Sequence, residues 1–413
     1  MDPLGAIAYW TAGKQSGAGA AELPGGAARR ADVPVDWRLT PGGDVNGYHP
    51  VRRPYTATAS SRVTGRLFYL DGDGERRSCS GVVVRSAGGL LVATAAHCVY
   101  GLSARTGGAV WSSKIAFVPA YDGSGAGAAA RAPYGVWGAR RAWKPRPFTG
   151  EGMWDWDSVY DLALVEVGRR GSATLQEAVG AVTPLRNEAG DYAVTTLGYP
   201  SDAPYDGLRQ LWCQARTTPW PGYAQPARIV DGRLHTANCH LFGGNSGGPW
   251  LERASGMLVG VLSSGAGNRS AEGYAVANPL GADSYGALVR RADPRGVYDA
   301  LSIKGSAKDL AKGRRSRLTA TVTMRGLMAA ARVPVTFRLP RGVSAPAGTG
   351  CWGTRRTVTC TLAVVRPGRP ERVSLPVRVT RRARHRVTVS VAATFLDPGR
   401  RDNDHSFTMP TSG

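Results

Sequence analysis

Three short motifs place a histidine, an aspartate and a serine, in that chain order, beside apolar segments. His97 lies in T-A-A-H-C, Asp161 begins D-L-A-L-V-E-V, and Ser246 is central to G-G-N-S-G-G-P. A serine hydroxyl is a weak nucleophile until a base removes its proton, and a neutral imidazole is suited to that task near pH 7. A buried carboxylate can orient the imidazole and stabilise the imidazolium that forms. The three residues therefore predict acyl-transfer chemistry.

The glycines around Ser246 allow the backbone to turn two N–H groups toward one point. The groups of Gly244 and Ser246 would form an oxyanion hole for a tetrahedral intermediate. Each motif alone has a structural explanation, namely a packed histidine, a charge at a strand edge or a glycine-rich turn. Their combination, each beside an apolar strand, favours catalysis.

Two other carboxylates, Asp155 and Asp157, lie shortly before Asp161. Neither is followed directly by an apolar strand that would hold it beneath the histidine. We therefore expect Asp161 to be the partner of His97.

The elements that must position these residues are predicted to be short strands. The chain of 413 residues contains 55 glycines and 27 prolines, which suits many turns. Apolar strands alternate with turn clusters from about residue 66 to residue 278, and one helix is expected after them, near 285–291 or 294–301. The sequence thus predicts an all-β protein whose residues 61–303 carry the three motifs.

Composition divides the rest of the chain. Residues 1–60 are rich in Gly, Ala, Pro and Arg and are interpreted as an N-terminal extension or pro-segment, or as a disordered tail. Residues 304–317 are polar and predict a linker. In residues 318–413, apolar side chains recur with a period of two in at least five segments. This pattern predicts a cationic β-sandwich of immunoglobulin-like size.

The formal charge of +22 is concentrated in the C-terminal quarter. Residues 304–413 hold 22 basic and 5 acidic side chains, a net charge of +17, so an anionic partner is expected there. Anionic polymers of the cell envelope are the predicted partner. The alternative is a spacer whose arginines reflect genomic base composition. Few aromatic residues lie among these arginines, so nucleic-acid binding is not predicted.

The six cysteines stand at positions 79, 98, 213, 239, 351 and 360 and contain no C-x-x-C pair. No metal or cofactor is expected from this spacing. An even number in three local pairs favours disulfides and an oxidising compartment. The sequence contains no run of 18 apolar residues, which a membrane-spanning helix would need, and no signal peptide is visible. We expect a secreted or cell-surface protein whose start is trimmed or misassigned.

The combination of T-A-A-H-C, D-L-A-L and G-G-N-S-G-G-P resembles the trypsin/chymotrypsin-like serine peptidases, especially bacterial secreted members, over roughly residues 60–300. This resemblance implies two six-stranded antiparallel β-barrels with the site between them. It implies catalytic roles for His97, Asp161 and Ser246. It also implies a disulfide between Cys79 and Cys98.

The same resemblance implies a substrate pocket after the nucleophile. Strand 258–265 is similar to the family strand that pairs with substrate, which assigns Ser263, Ser264 and Gly265 to substrate binding. His240 lies where trypsin-type enzymes carry Asp, and Gly273 is expected near the same pocket.

Three further positions near this pocket and the nucleophile bear on specificity and activation. Glu272 is expected near the pocket beside Gly273. Leu262 lies where Glu-specific relatives carry His, so the preferred substrate residue is not predicted. Asn245 replaces the aspartate that pairs with a newly freed amine in digestive members. That activation switch therefore cannot operate here in the same form.

The other cysteines are less tightly constrained. A bond between Cys213 and Cys239 would brace the loop that leads to Ser246, and the alternative is two free buried thiols. The segment G-C-W-G-T-R-R-T-V-T-C resembles DUF11-type β-sandwich domains of bacterial surface proteins. Cys351 and Cys360 could link one hairpin of such a domain.

The sequence therefore predicts a monomeric serine endopeptidase that hydrolyses protein or peptide substrates through an acyl-enzyme on Ser246. The alternative is a non-catalytic, trypsin-like binding protein anchored by its basic C-terminal domain. The intact trio of His97, Asp161 and Ser246 argues against that alternative.

Overall fold

The computed structural model describes residues 1–21, 43–150, 159–188, 190–220, 232–266, 273–308, 315–346, 350–381, 383–392, 396–399 and 401–409. The chain divides into two compact units, Met1–Pro294 and Arg295–Gly413. This division falls before the boundary at 303/304 that the sequence suggested. The reason is that Leu301 and Ile303 are buried in the core of the second unit.

The first unit is built from short strands. They are β1 (Gly19–Ala20), β2 (His49–Pro50), β3 (Thr64–Leu70), β4 (Arg76–Val83), β5 (Leu91–Thr94), β6 (Tyr100–Leu102), β7 (Ala109–Trp111), β8 (Ser113–Pro119), β9 (Trp137–Trp143), β10 (Ala163–Val167), β11 (Leu185–Arg186), β12 (Ala193–Gly198), β13 (Leu211–Arg216), β14 (Thr218–Trp220), β15 (Arg233–Thr236), β16 (Pro249–Glu252), β17 (Leu258–Ala266) and β18 (Tyr274–Pro279).

Two sheets dominate this unit. The seven-stranded sheet has the order β1-β4-β3-β8-β9-β10-β5, and an additional pairing of β4 with β5 closes six of these strands into a barrel. The eight-stranded sheet has the order β14-β15-β18-β17-β16-β12-β13-β2 and forms a half-barrel. Every residue of β5 is buried, and so are four of the five in β10, where only Glu166 is half-buried, which explains why both strands are mostly apolar. This architecture confirms the all-β, trypsin-like prediction.

Residues 1–21 pack onto the first barrel. Asp2 caps the helix Pro3–Tyr9 by accepting the Gly5 N–H at 3.0 Å. The Trp10 indole is buried beside Phe68 and donates to the Lys114 carbonyl at 2.5 Å. These residues are thus an ordered part of the unit. The sequence alone is compatible with either an N-terminal extension or a disordered tail.

The helices of the first unit are short: Pro3–Tyr9, Ala12–Ser16, Ala59–Val63, Ala128–Arg131, Leu175–Val179 and Ala287–Ala292. The last follows a π-helical turn at Ala282–Gly286, close to the first of the two predicted positions. It ends before Asp293 because Pro294 disfavours helical geometry in the residue that precedes it. Among the described residues, no helix has the length and apolar character needed to cross a membrane.

The second unit is an antiparallel sandwich. Its strands are β19 (Ala300–Lys308), β20 (Arg315–Arg325), β21 (Ala329–Arg338), β22 (Val343–Ser344), β23 (Trp352–Gly353), β24 (Thr357–Val365), β25 (Glu371–Val379), β26 (His385–Val391) and β27 (Asp404–Met409). One sheet follows β19-β20-β25-β22 and the other β23-β24-β21-β26-β27. Alternate residues such as Leu318, Val335, Phe337 and Leu375 fill its core. The likeness to DUF11-type domains stays a prediction.

The segment 304–317, for which a linker is predicted, has a strand at each end. Lys304–Lys308 completes β19 and pairs with Arg317–Thr321 of β20. In Lys304–Ala307 the exposed residues Lys304 and Ser306 alternate with the half-buried Gly305 and Ala307, so the polar residues here lie on the exposed face of the sheet.

All six cysteines are paired. The bonds join Cys79 to Cys98, Cys213 to Cys239, and Cys351 to Cys360. The first lies in the closed barrel and the last connects β24 to the turn before β23.

We predict that removing the Cys351–Cys360 bond (Cys351→Ala with Cys360→Ala) loosens only the second unit. A disulfide that closes a loop this short stabilises by about 2 to 3 kcal/mol. Hydrogen–deuterium exchange should rise in peptides spanning residues 350–365 and stay unchanged in peptides of β3 and β4. Unchanged exchange in 350–365 would show that the bond contributes nothing to the sandwich.

Candidate active site

His97 is held by Asp161 through two hydrogen bonds. β5 ends at Thr94, and a 3₁₀ turn over Ala96–Cys98 then presents the histidine. Asp161 Oδ1 accepts the His97 backbone N–H at 2.9 Å, and Oδ2 lies 2.8 Å from the ring Nδ1. A carboxylate only accepts, so Nδ1 carries the proton and Nε2 is the acceptor nitrogen. The His97 ring is therefore oriented and ready to act as a base.

Asp161 is itself held from two further strands. Its side chain is 0% exposed, and its Oδ2 also accepts the Ser263 hydroxyl at 2.6 Å. The Asn278 amide donates to its backbone carbonyl at 2.9 Å. These bonds offset the cost of burying a carboxylate. The sequence did not reveal either partner, because both lie more than a hundred residues away along the chain.

Ser263 is predicted to contact substrate, but its side chain is buried and directed to Asp161. Only its backbone remains for a substrate. Strict alternation of strand side chains does not give this direction, because the pairing of β17 with β18 shifts register between Leu262 and Ser264.

The turn that carries Ser246 lies against the strand end that leads to His97. The Ser246 carbonyl accepts the Ser80 N–H at 2.7 Å, and Thr94 Oγ1 donates to the Ser80 carbonyl at 2.8 Å. Gly247 has φ +81°, and a Cβ there would overlap Thr94 Oγ1. Glycine is therefore required directly after the serine.

The Ser246 hydroxyl and His97 Nε2 are both buried. Within the described residues, neither atom has a hydrogen-bond partner. Catalytic hydrogen bonds are often loose in a free enzyme and tighten when substrate binds. Both atoms are thus without a competing hydrogen bond from the residues that the structure describes.

The predicted oxyanion hole depends on the backbone conformation at Gly244 and Ser246. Gly244 adopts φ +88°, and a Cβ there would overlap Ser201 Oγ. In the part of the chain that the structure describes, neither the Gly244 nor the Ser246 N–H donates a hydrogen bond. Their neighbours Gly243, Asn245 and Gly247 all donate theirs.

The predicted pocket residues that are described gather beside this loop. A Cβ on Gly273 would overlap the His240 ring, and one on Gly265 would overlap the Tyr274 carbonyl. His240 is buried, and this desolvation lowers the pKa of its imidazole, so the ring is neutral at pH 7. Ser264 is half-buried on the same strand. Glu272, Asp155 and Asp157 lie outside the described residues.

One cluster has the composition of a metal site. The sulfurs of Cys79 and Cys98 and a ring nitrogen of His97 lie within 4.8 Å of one another. The two sulfurs are bonded to each other, so neither can supply the thiolate that a metal requires. The cluster is a disulfide packed beside the histidine.

Comparison with known proteins gives a family match. Residues 79–261 match the model of the trypsin-like peptidase domain, and this range includes His97, Asp161 and Ser246. This segment of the chain is therefore similar to a trypsin-like peptidase domain. No curated protein matches it.

Several solved structures are similar. The protease Anisep from Arthrobacter nicotinovorans is 25% identical, with a TM-score of 0.47, covering 57% of this chain and 98% of its own. The thermostable serine protease AL20 from an extremophilic microorganism is 24% identical, with a TM-score of 0.46, covering 58% and 100%. A Glu endopeptidase in complex with MPD is 17% identical, with a TM-score of 0.43, covering 61% and 99%.

We predict that Ser263→Ala lowers kcat about tenfold and leaves KM unchanged. The fall in kcat corresponds to the loss of one hydrogen bond to the Asp161 carboxylate. This carboxylate orients His97 and does not touch the substrate, so KM is unaffected. Steady-state hydrolysis of a peptide substrate measures it. Ser86→Ala is the matched control, because Ser86 is also buried and its hydroxyl has no partner among the described residues. Equal effects of both substitutions would contradict the role assigned to Ser263.

Proposed function

We propose that the first unit is a serine endopeptidase that hydrolyses peptide bonds through an acyl-enzyme on Ser246. The observation that carries this proposal is the double hydrogen bond from Asp161 to the backbone and ring of His97. It leaves Nε2 as a buried acceptor without a partner in the described chain. The match of residues 79–261 to the trypsin-like peptidase domain supports the same conclusion.

The proposed reaction begins with attack of Ser246 Oγ on the scissile carbonyl. His97 Nε2 takes the hydroxyl proton, and the carbonyl oxygen becomes an oxyanion that accepts the N–H groups of Gly244 and Ser246. Asp161 stabilises the imidazolium. His97 then gives its proton to the leaving amine as the C–N bond breaks, and the acyl group remains on Ser246. A water activated by His97 releases the acid product and restores the serine.

Substrate would bind beside the strand that follows the nucleophile. The backbone of Ser263, Ser264 and Gly265 would pair with the peptide, and His240 and Gly273 would border the side-chain pocket. Protein or peptide substrates outside the cell are the expected targets, because three disulfides persist in oxidising surroundings.

We predict that Ser246→Ala reduces peptide hydrolysis by roughly four to six orders of magnitude, because the three catalytic residues act as a unit. Labelling by a fluorophosphonate should be lost at the same time, and peptide mapping of the labelled wild-type protein should find the adduct on Ser246. Ser255→Ala, at a half-buried position in a turn of the same unit, is the control and should keep both properties. A wild-type protein that binds peptides without cleaving them would favour a non-catalytic binding protein instead.

We also propose that the second unit binds anionic polymers of the cell envelope. The outer face of the sheet β19-β20-β25 carries Lys304, Arg317, Arg372 and Arg378, all exposed. Lys304 and Arg372 flank Thr321 in one row of paired residues, so these cations share a face. The one acidic residue of these strands in the described range, Glu371, lies 3.8 Å from Arg366 and from Arg369. The face therefore has a strong excess of positive charge.

We predict that the full chain is retained on an immobilised polyphosphate at low salt and is released by roughly 0.5 M salt, since charge attraction is screened within about 8 Å at physiological ionic strength. Replacing Lys304, Arg317, Arg372 and Arg378 with Gln should lower the elution salt markedly. The control replaces four exposed arginines of the first unit, Arg85, Arg105, Arg141 and Arg253, with Gln. Equal shifts in the two variants would remove the proposal and leave the spacer interpretation.

A further inference from the structure

The loop that carries the oxyanion-hole amides is contacted by a segment from much earlier in the chain. We call residues Asp44–Tyr48 the upstream segment and residues Cys239–Ser246 the nucleophile loop. The nucleophile loop begins with a positive φ of +59° at Cys239 and includes another at Gly244. Such a backbone needs support from its surroundings to hold one conformation.

Tyr48 bridges the two ends of the nucleophile loop. Its side chain is buried, and its hydroxyl donates to the His240 carbonyl at 2.8 Å, with the Cys239 carbonyl at 3.2 Å. The same oxygen accepts the Asn245 side-chain amide at 2.7 Å. Asn245 lies between the two oxyanion-hole residues, Gly244 and Ser246. One phenol thus connects the start of the loop to the residue between the two amides.

The hydrogen-bond directions are fixed by chemistry. Burial, together with Tyr205 and Asp44, raises the pKa of the Tyr48 phenol well above its ordinary value, so the phenol keeps its proton. A protonated phenol can donate to a carbonyl and accept from an amide at once. Asn245 is packed from the other side as well, since a Cβ on Gly198 would overlap its Oδ1. Asn245 therefore has little freedom to turn.

The upstream segment is itself anchored. Asp44 Oδ1 accepts the N–H groups of Asn46 and Tyr48, both at 2.9 Å, and Oδ2 accepts the Tyr205 hydroxyl at 2.5 Å. The Asn46 carbonyl accepts the His240 N–H at 3.2 Å. The strand β2 that follows pairs with β13, which carries Cys213 of the Cys213–Cys239 bond. The segment and the loop thus share a common support.

We propose that Tyr48 is a positioning residue for the oxyanion hole. Through Asn245 it holds the peptide groups of Gly244 and Ser246 so that their N–H groups point to one place. Tyr48 and Asn245 are both uncharged and belong to the same chain. The contact that orders the loop at this position is therefore a hydrogen bond and not an ion pair. The inference rests on the proposed function, because an oxyanion hole matters only if Ser246 forms a tetrahedral intermediate.

The first experiment compares Tyr48→Phe with Tyr55→Phe in the full chain. Tyr55 is a matched control, because it is as buried as Tyr48, at 3%, and its hydroxyl accepts the Gln210 N–H instead. Tyr48→Phe should lower kcat about tenfold to a hundredfold, less than deletion of an oxyanion donor, with KM within twofold of wild type. Tyr55→Phe should leave kcat within twofold. Wild-type kcat in Tyr48→Phe, or equal losses in the two variants, would overturn the proposal.

The second experiment separates positioning from general stability. A peptide boronate, which forms a tetrahedral adduct on the serine, should bind Tyr48→Phe more weakly by about the same factor as the loss in kcat. A product peptide, which forms no adduct, should bind as it does to wild type. Equal weakening of both ligands would mean that Tyr48 merely supports the fold.

The third experiment tests the route through Asn245. Asn245→Ala should lower kcat to a similar extent, and Tyr48→Phe combined with Asn245→Ala should lower it little further, because the two groups act through one bond. Fully multiplicative effects would overturn the route even if Tyr48→Phe folded poorly. Absence of peptide hydrolysis by the wild-type chain would instead refute the proposed function. A failure of the Tyr48 proposal is therefore distinguishable from a failure of the proposed function.

Discussion

The rest of the site depends on the hydrogen bonds that the buried carboxylate of Asp161 accepts. A charge that is fully removed from solvent is costly unless hydrogen bonds surround it. Here the donors come from the turn after β5, which supplies the backbone and ring of His97, and from β17, which supplies Ser263. Asn278 of β18 fixes the backbone of Asp161 itself. The carboxylate therefore ties the closed barrel to the second sheet of the same unit and sets the histidine tautomer.

The nucleophile loop is under a steric constraint, because it leaves no room for side chains at two of its positions. Gly244 and Gly247 adopt positive φ angles and approach Ser201 and Thr94 so closely that no side chain fits. Glycine permits such a backbone but does not select it. Selection comes from the hydrogen bonds around the loop, including Tyr48 with Asn245 and Asp202 with the Gly243 N–H at 2.9 Å. The site thus combines a glycine-rich turn that can bend with fixed neighbours that decide how it bends.

The sequence predicted the parts of the molecule whose signals are local. T-A-A-H-C and G-G-N-S-G-G-P are contiguous, so they identify His97 and Ser246 as candidates directly, and alternation in 318–413 predicts the sandwich. Residues that act across long separations were missed. Tyr48 and Asn278 stand in segments without any motif. Ser263 is predicted to be a pocket residue because the sequence identifies its strand but does not show which way its side chain points. Lys304–Lys308, the second half of β19, falls in the predicted linker because an exposed sheet face has the same polar composition as a flexible segment.

The central claim is that peptide hydrolysis passes through a covalent acyl-enzyme on Ser246. The most direct measurement mixes the protein with a p-nitrophenyl ester, stops the reaction in acid within milliseconds to seconds, and maps the intact adduct by mass spectrometry. We expect a burst of about one p-nitrophenol per active site and an acyl group on the peptide that contains Ser246. Steady release of p-nitrophenol without a burst would be compatible with an acyl-enzyme only if the acyl group were still trapped on Ser246. Turnover with no adduct on Ser246, or with the adduct on another residue, would contradict the account.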